Sequence, residues 1–221
     1  MDKVLLLEKK LQPFGKVVLL GAGRLGIRVF EKLIMVHRGG FKILEVFDGA
    51  CVEGNDTYHL LKGSVLGENK ASFLERVFIN NDKTIISRPK FFSDEDFESL
   101  KNSKVVISTI AGGNTLNLIS KVANFCVKNK IHFITTNGVF GFGNESIKIF
   151  KSLNKVTEGP ALFLKEEKDF PSDSSLITFI GTGKLIKDGL PITSTNLEKI
   201  AEAISVEALK ILYLEKNRED K

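Results

Sequence analysis

The chain has 221 residues, 43 % of them apolar and 27 % charged, with 19 Gly and only 5 Pro. This composition excludes a disordered or collagen-like chain and gives one globular unit enough apolar material for a sizeable core. The net charge is +5, from 32 Lys and Arg against 27 Asp and Glu, spread without a dense basic block. That balance suits anionic ligands such as nucleotides and is a weak argument for nucleic-acid binding, so no nucleic-acid partner is expected.

Residues Met1 to Lys10 read as a helix rather than a secretory leader. No apolar run approaches the roughly 18 residues of a membrane span, so a cytoplasmic protein without membrane contact is expected. Lys16 to Leu20 is a short apolar run ending in glycine, which predicts a buried strand. A helical pattern follows through Leu25, Val29, Phe30, Leu33 and Ile34 and stops at Gly39-Gly40. A second strand is predicted over Phe41 to Phe47, a helix over Ser72 to Phe78 and a strand over Thr84 to Ser87. Asp94 to Leu100 reads as a short helix with an acidic first turn, which suits the helix dipole. Then come a strand at Lys104 to Thr109, a helix at Leu116 to Lys128 and a strand at Ile131 to Thr135. After Gly143 the rhythm weakens, with one more strand at Ser175 to Ile180. A closing helix runs from Asn196 to about Leu214, with Thr195 and Glu198 at capping-box spacing.

Strands alternate with helices, and each connection is long enough for a crossover. The pattern predicts an α/β fold, a Rossmann-like doubly wound, mostly parallel sheet with helices on both faces. The two cysteines, Cys51 and Cys126, are too few and too distant for a disulfide framework or a zinc pair. Both are expected to be buried small apolar residues.

Gly21-Ala22-Gly23-Arg24-Leu25-Gly26 directly follows the first strand and opens the first helix. The first glycine permits the turn, the second lets a phosphate approach the backbone, and the third lets helix and strand pack closely. The helix start offers amides and a positive dipole end to phosphate oxygens. Asp48, at the end of the second strand, is placed to meet a ribose hydroxyl. Arg24 reads either as a solvated side chain or as a clamp on a phosphate. The loop alone does not choose between a dinucleotide and ATP.

The following stretch is the informative one. Asp48, Val52, Asn55, Gly67, Lys70 and Ala71 resemble, at matching spacing, the ThiF/MoeB-type adenylating proteins related to ubiquitin-activating enzymes. In that family the second strand runs into Asp-x-Asp-x-Val-x-x-Asn-Leu-x-Arg-Gln, followed by Gly-x-x-Lys-Ala. The resemblance implies a single nucleotide-binding domain, with residues 1–145 as its core and 146–221 as an extension carrying substrate loops and the closing helix. It implies ATP and Mg2+ as cofactors, a small-molecule carboxylic acid as substrate, a homodimer, and a downstream enzyme that accepts the acyl group. Lys70 is the cation expected at the phosphates, and Asn55 a donor to phosphate or ribose. Thr109 and Ile110 complete the expected nucleotide site. The alternative for Lys70 is an ordinary surface lysine, and for Asn55 a turn residue after Gly54.

Several family positions differ. The second acid falls on Ala50, the arginine on Tyr58, and the magnesium-associated aspartate near Asn114. No arginine precedes Arg24, which leaves Lys9, Lys10 or Arg24 to replace the arginine that family members take from a neighbouring subunit. Zinc-binding CxxC pairs are absent, so no structural zinc is expected. The segments Thr109 to Asn114 and Thr135 to Gly141 fall at the carboxyl ends of strands, where doubly wound sheets bind ligands. Ala111, Gly112, Thr136, Asn137 and Thr182 are the expected substrate contacts, with Gly181 to Asn196 as a covering loop. The chain looks like a short, zinc-free subgroup that acts in methanogenic archaea in making the iron-guanylylpyridinol cofactor, which implies adenylation of the guanylylpyridinol carboxylate. Two other classes stay open. An NAD(P)-dependent oxidoreductase would fit the glycine loop, although His37, His59 and His132 form no evident catalytic pair. A non-catalytic nucleotide-binding module that presents a substrate would fit the replaced positions.

Overall fold

The protein is described by a computed structural model covering residues 4, 8, 11–78, 82–110, 115–167 and 169–219. The expected helix at residues 1–10 therefore lies mostly outside the described residues. Strands β1 (Lys16–Leu20), β2 (Ile43–Phe47), β3 (Thr84–Arg88), β4 (Ser103–Ser108), β5 (His132–Thr136), β6 (Lys148–Phe150) and β7 (Ile177–Gly181) form one sheet in the order β3-β2-β1-β4-β5-β7-β6. Every neighbouring pair is parallel except β6 with β7. Helices α1 (Gly26–Ile34), α2 (Thr57–Leu61), α3 (Lys70–Val77), α4 (Leu116–Lys128) and α5 (Ser194–Glu219) connect or cover the strands.

The strands are apolar on both sides because both faces are covered. Val17 and Leu19 point into one core layer with Val29, Phe30 and Leu33 of α1 and Ile200, Ile204 and Ala208 of α5. Val18 and Leu20 point into the opposite layer with Val122, Ala123 and Cys126 of α4 and Phe133 and Phe179. The chain proceeds from β1 outward through β2 to β3, then returns to start again at β4 on the other side of β1. The strand order therefore reverses between β1 and β4. Leu20 is in register with Phe47 and with Ser108, so the glycine loop, Asp48 and Thr109 emerge together at that crevice.

Some expectations need correction. The capping box at Thr195 and Glu198 does not form. Helix α5 starts earlier, and Thr193 accepts at its carbonyl from the Leu197 amide (3.1 Å) and at Oγ1 from the Asn196 amide (3.3 Å). Glu198 instead meets Arg28 at 2.8 Å and Lys32 at 2.9 Å, a choice made by a helix far away in sequence. The segment Asp94–Leu100 is a 3-10 helix, closed by a capping box between Ser93 and Asp96. Cys126 is buried, but Cys51 is exposed, because the chain has left the sheet and crosses its end toward Asn69, with which Cys51 forms an isolated bridge. Among the described residues no helix is long and apolar enough to cross a membrane.

Candidate active site

The glycine loop is shaped by contacts on three sides. Gly21 has φ +94°, a conformation that costs glycine little. A Cβ on Gly26 would lie 2.0 Å from the Gly21 carbonyl oxygen and 2.8 Å from Thr109 Oγ1, so only glycine lets helix and turn touch here. A Cβ on Gly23 would meet nothing within 4 Å, which leaves open space at that face of the loop. The Thr109 hydroxyl donates to the Gly21 carbonyl (2.8 Å). Asp48 Oδ2 accepts from the Ala22 amide (2.7 Å) and Oδ1 from the Ala50 amide (2.8 Å). The carboxylate thus holds the loop and keeps lone pairs for a sugar hydroxyl. The amides of Gly23, Arg24 and Leu25 donate to nothing among the described residues, so they are available to an anion at the start of α1.

Lys70 reaches this crevice because Asn69 ties two elements together. Asn69 Oδ1 caps α3 by accepting from the amides of Ala71 (2.9 Å) and Ser72 (3.0 Å). Its Nδ2 donates back to the carbonyls of Asp48 (2.9 Å) and Ala50 (3.3 Å), and the Lys70 amide donates to the Ala50 carbonyl (3.0 Å). The first residue of α3 is therefore fixed against the end of β2. The Lys70 ammonium lies 2.9 Å from Asp56 Oδ2, with side-chain exposures of 12 % and 7 %. Burial alone would raise the Asp56 carboxyl, but the Glu53 amide and the Lys70 ammonium outweigh it and hold its pKa below the usual value. One of the three ammonium donors faces Asp56, and the remainder are free to meet phosphate oxygens.

His59, on α2, is fully buried, and its Nε2 lies 2.8 Å from the Ala22 carbonyl oxygen. Burial lowers its pKa, against the smaller raising effects of that carbonyl, Asp56 and Asp48. Tyr58, at the family's arginine position, donates its hydroxyl to Glu31 at 2.5 Å. The guanidinium of Arg28 lies 3.8 Å from the centre of its ring. Arg28 is itself buried and donates to Glu198, Ser194 and the Arg24 carbonyl. A cation is present next to position 58, but it is spent on joining α1 to α2 and α5.

The remaining expected residues differ in exposure and in what their side chains bond. Arg24 is exposed, Ala22 and Leu25 are buried, and Asn55 is exposed in the turn after Gly54. Ile110 and Thr136 are half-buried at the strand ends. Ala111, Gly112 and Asn114 lie outside the described residues. Asn137 is fully buried, donating to the Glu158 carbonyl (2.9 Å) and accepting from the Ala161 amide (3.0 Å). Thr182 is buried and donates to the Phe140 carbonyl (2.9 Å). The expected covering loop begins as a wall: the Thr182 and Gly183 amides donate to the carbonyls of Gly138 (3.0 Å) and Asn137 (2.9 Å). Farther on, the Gly141 amide donates to the Pro191 carbonyl (2.7 Å). The sequence pattern assigned no site role to Asn69 or Asp56, and it set His59 aside for want of a catalytic partner. The available signal was a polar Asn directly before a helical run, and an Asp and a His where the family pattern has Leu and Gln.

No family model matches the chain. The uncharacterised protein MJ0693 of Methanocaldococcus jannaschii is 37 % identical over 207 residues, which are 94 % of this chain and 80 % of that one. Ubiquitin-like modifier-activating enzyme 1 of Dictyostelium discoideum is 30 % identical over 186 residues, 74 % of this chain but only 17 % of that much longer one. The solved structure of HcgE from Methanothermobacter marburgensis, bound to guanylylpyridinol and ATP, matches with a TM-score of 0.82 and 33 % identity over 90 % of this chain and 96 % of that one.

Proposed function

As a member of the ThiF/MoeB-type adenylating superfamily, the chain is an ATP-dependent adenylyltransferase, and we propose that its substrate is the carboxylate of a small molecule of the guanylylpyridinol kind. In this reaction a carboxylate oxygen attacks the α-phosphorus of ATP. The bond to the bridging oxygen of the β-phosphate breaks, and pyrophosphate leaves with that electron pair. No proton need be transferred, so the protein's task is to position two anions and stabilise charge.

The observation that carries this reading is the enclosed Lys70 ammonium, ion-paired to Asp56 on a helix start that Asn69 ties to the end of β2, together with the three free amides at the start of α1. A lysine held there supplies the positive charge that the triphosphate and the departing pyrophosphate require. Asp48 receives the ribose in this reading, and Asn55, in its exposed turn, is available to a phosphate. The substrate carboxylate would enter over Ile110 and Thr136, with Asn137 and Thr182 supporting the wall rather than touching the ligand. The likeness to HcgE, which holds guanylylpyridinol and ATP together, supports this acid over others.

Mg2+ fits as an ion that arrives with the phosphates. Among the described residues no cluster of three His, Cys, Asp or Glu is placed to hold a metal, and Mg2+ is commonly held by one or two carboxylates plus phosphate oxygens. A homodimer that supplies a further cation, and a separate enzyme that takes the acyl group, complete the proposal. The test is exchange of labelled pyrophosphate into ATP, which should require guanylylpyridinol and Mg2+. ATP binding without acid-dependent exchange would refute catalysis in favour of a presenting module. Tighter binding of NADH than of ATP would refute the nucleotide assignment.

A further inference from the structure

One buried titratable group beside the glycine loop takes no part in the reaction just described. His59 is fully enclosed, its ring set against Phe73 with centroids 6.2 Å apart. A carbonyl oxygen can only accept a hydrogen bond, so the 2.8 Å contact with Ala22 requires the proton on Nε2. Nδ1 is then bare, and it is buried without a partner. Asp48, Asp56 and Lys70 are the charges that face the ring. A histidine kept neutral and committed to one backbone oxygen, at the cost of an orphaned nitrogen, needs an explanation.

The peptide plane supplies it. The Ala22 carbonyl and the Gly23 amide belong to one planar unit and point in opposite directions when it is trans, and the structure has no cis peptide among the described residues. Holding the carbonyl inward turns the Gly23 N–H the opposite way, and that amide donates to nothing among the described residues, which leaves it available to a phosphate. The preceding peptide is held in the same way, with Thr109 on the Gly21 carbonyl and Asp48 on the Ala22 amide. Glycine on both sides of Ala22 gives this segment unusual backbone freedom. A flip of the Ala22-Gly23 peptide would present an oxygen, not an N–H, to the phosphates.

We propose that His59 is a positioning residue for the phosphate loop: its Nε2–H locks the Ala22-Gly23 peptide in the orientation that offers the Gly23 amide to ATP. This rests on the adenylation reading and adds to it a determinant of phosphate affinity. Glutamine places an amide N–H near the position of Nε2, whereas phenylalanine keeps the ring and removes the donor.

The experiment is calorimetric titration of wild type, His59→Gln and His59→Phe with ATP and, separately, with adenosine. His59→Phe should bind ATP roughly tenfold more weakly, the effect of about one hydrogen bond, with adenosine affinity unchanged. His59→Gln should bind ATP within about threefold of wild type. If His59→Phe does not fold, His59→Asn replaces it, since its shorter amide falls short of the carbonyl. The inference is overturned if the donor-less variant binds ATP like wild type, if His59→Gln is as weak as His59→Phe, or if adenosine weakens in step with ATP. Wild type that fails to bind ATP would instead overturn the adenylation reading itself.

Discussion

Two of the three glycines of the phosphate loop, Gly23 and Gly26, should fail in opposite ways when changed to alanine. In Gly26→Ala the new Cβ would lie 2.0 Å from the Gly21 carbonyl oxygen, where real Cβ atoms essentially never come under 3.0 Å. Helix α1 and the turn must separate by at least about 1 Å, which pulls the Gly21 carbonyl from the Thr109 hydroxyl. Forced overpacking costs about 1–3 kcal/mol and the lost hydrogen bond about 1 kcal/mol. For a domain of this size each kcal/mol lowers the melting temperature by roughly 2–4 °C, so a fall on the order of 10 °C is expected, together with loss of ATP binding. Gly23→Ala meets nothing within 4 Å and its φ is not positive. It should melt within about 2 °C of wild type and yet bind ATP more weakly, because the methyl occupies the space a phosphate needs. Thermal melting by circular dichroism and ATP titration measure both. Wild-type melting for Gly26→Ala would refute the packing argument, and wild-type ATP affinity for Gly23→Ala would refute the phosphate position.

Three further outcomes are expected. Lys70→Ala should lower acid-dependent pyrophosphate exchange by roughly 10²-fold, and wild-type exchange in this variant would remove Lys70 from the mechanism. Burial pushes the Cys126 thiol far up while Cys51 is exposed, so a thiol reagent should titrate one cysteine in the native protein and two after unfolding; two fast-reacting thiols would contradict the fold around α4. Burial holds the His59 pKa below its ordinary value. As pH falls below about 6.5 the unfolded chain takes up a proton there that the native state does not, so stability declines with acidity until the native pKa is reached. Melting temperatures at pH 7.5 and 5.5 should differ less in His59→Gln than in wild type, and equal differences would show that His59 does not contribute.

Much of the site was legible as local pattern. A glycine loop between strand and helix, an acid at the end of the next strand and a lysine opening a later helix are short-range features, and each keeps its meaning without its neighbours. Roles such as that of Asn137 were not legible. Its place in a polar segment at a strand end suggested a ligand contact, but its amide is consumed by the backbone at Glu158 and Ala161. Likewise Glu198 had the spacing of a helix cap and serves Arg28 instead.

The sequence by itself determined the alternation of strands and helices, and hence the doubly wound sheet, because hydrophobic period and turn residues act within a few positions of one another. Only the tertiary structure decided that β7 lies between β5 and β6, that Asp56 holds Lys70, and that Arg28 joins Tyr58 to α5. Those pairings depend on which side chains the packed sheet brings within a few ångströms. Burial then makes each polar group choose a partner, and that choice leaves no trace in the local pattern.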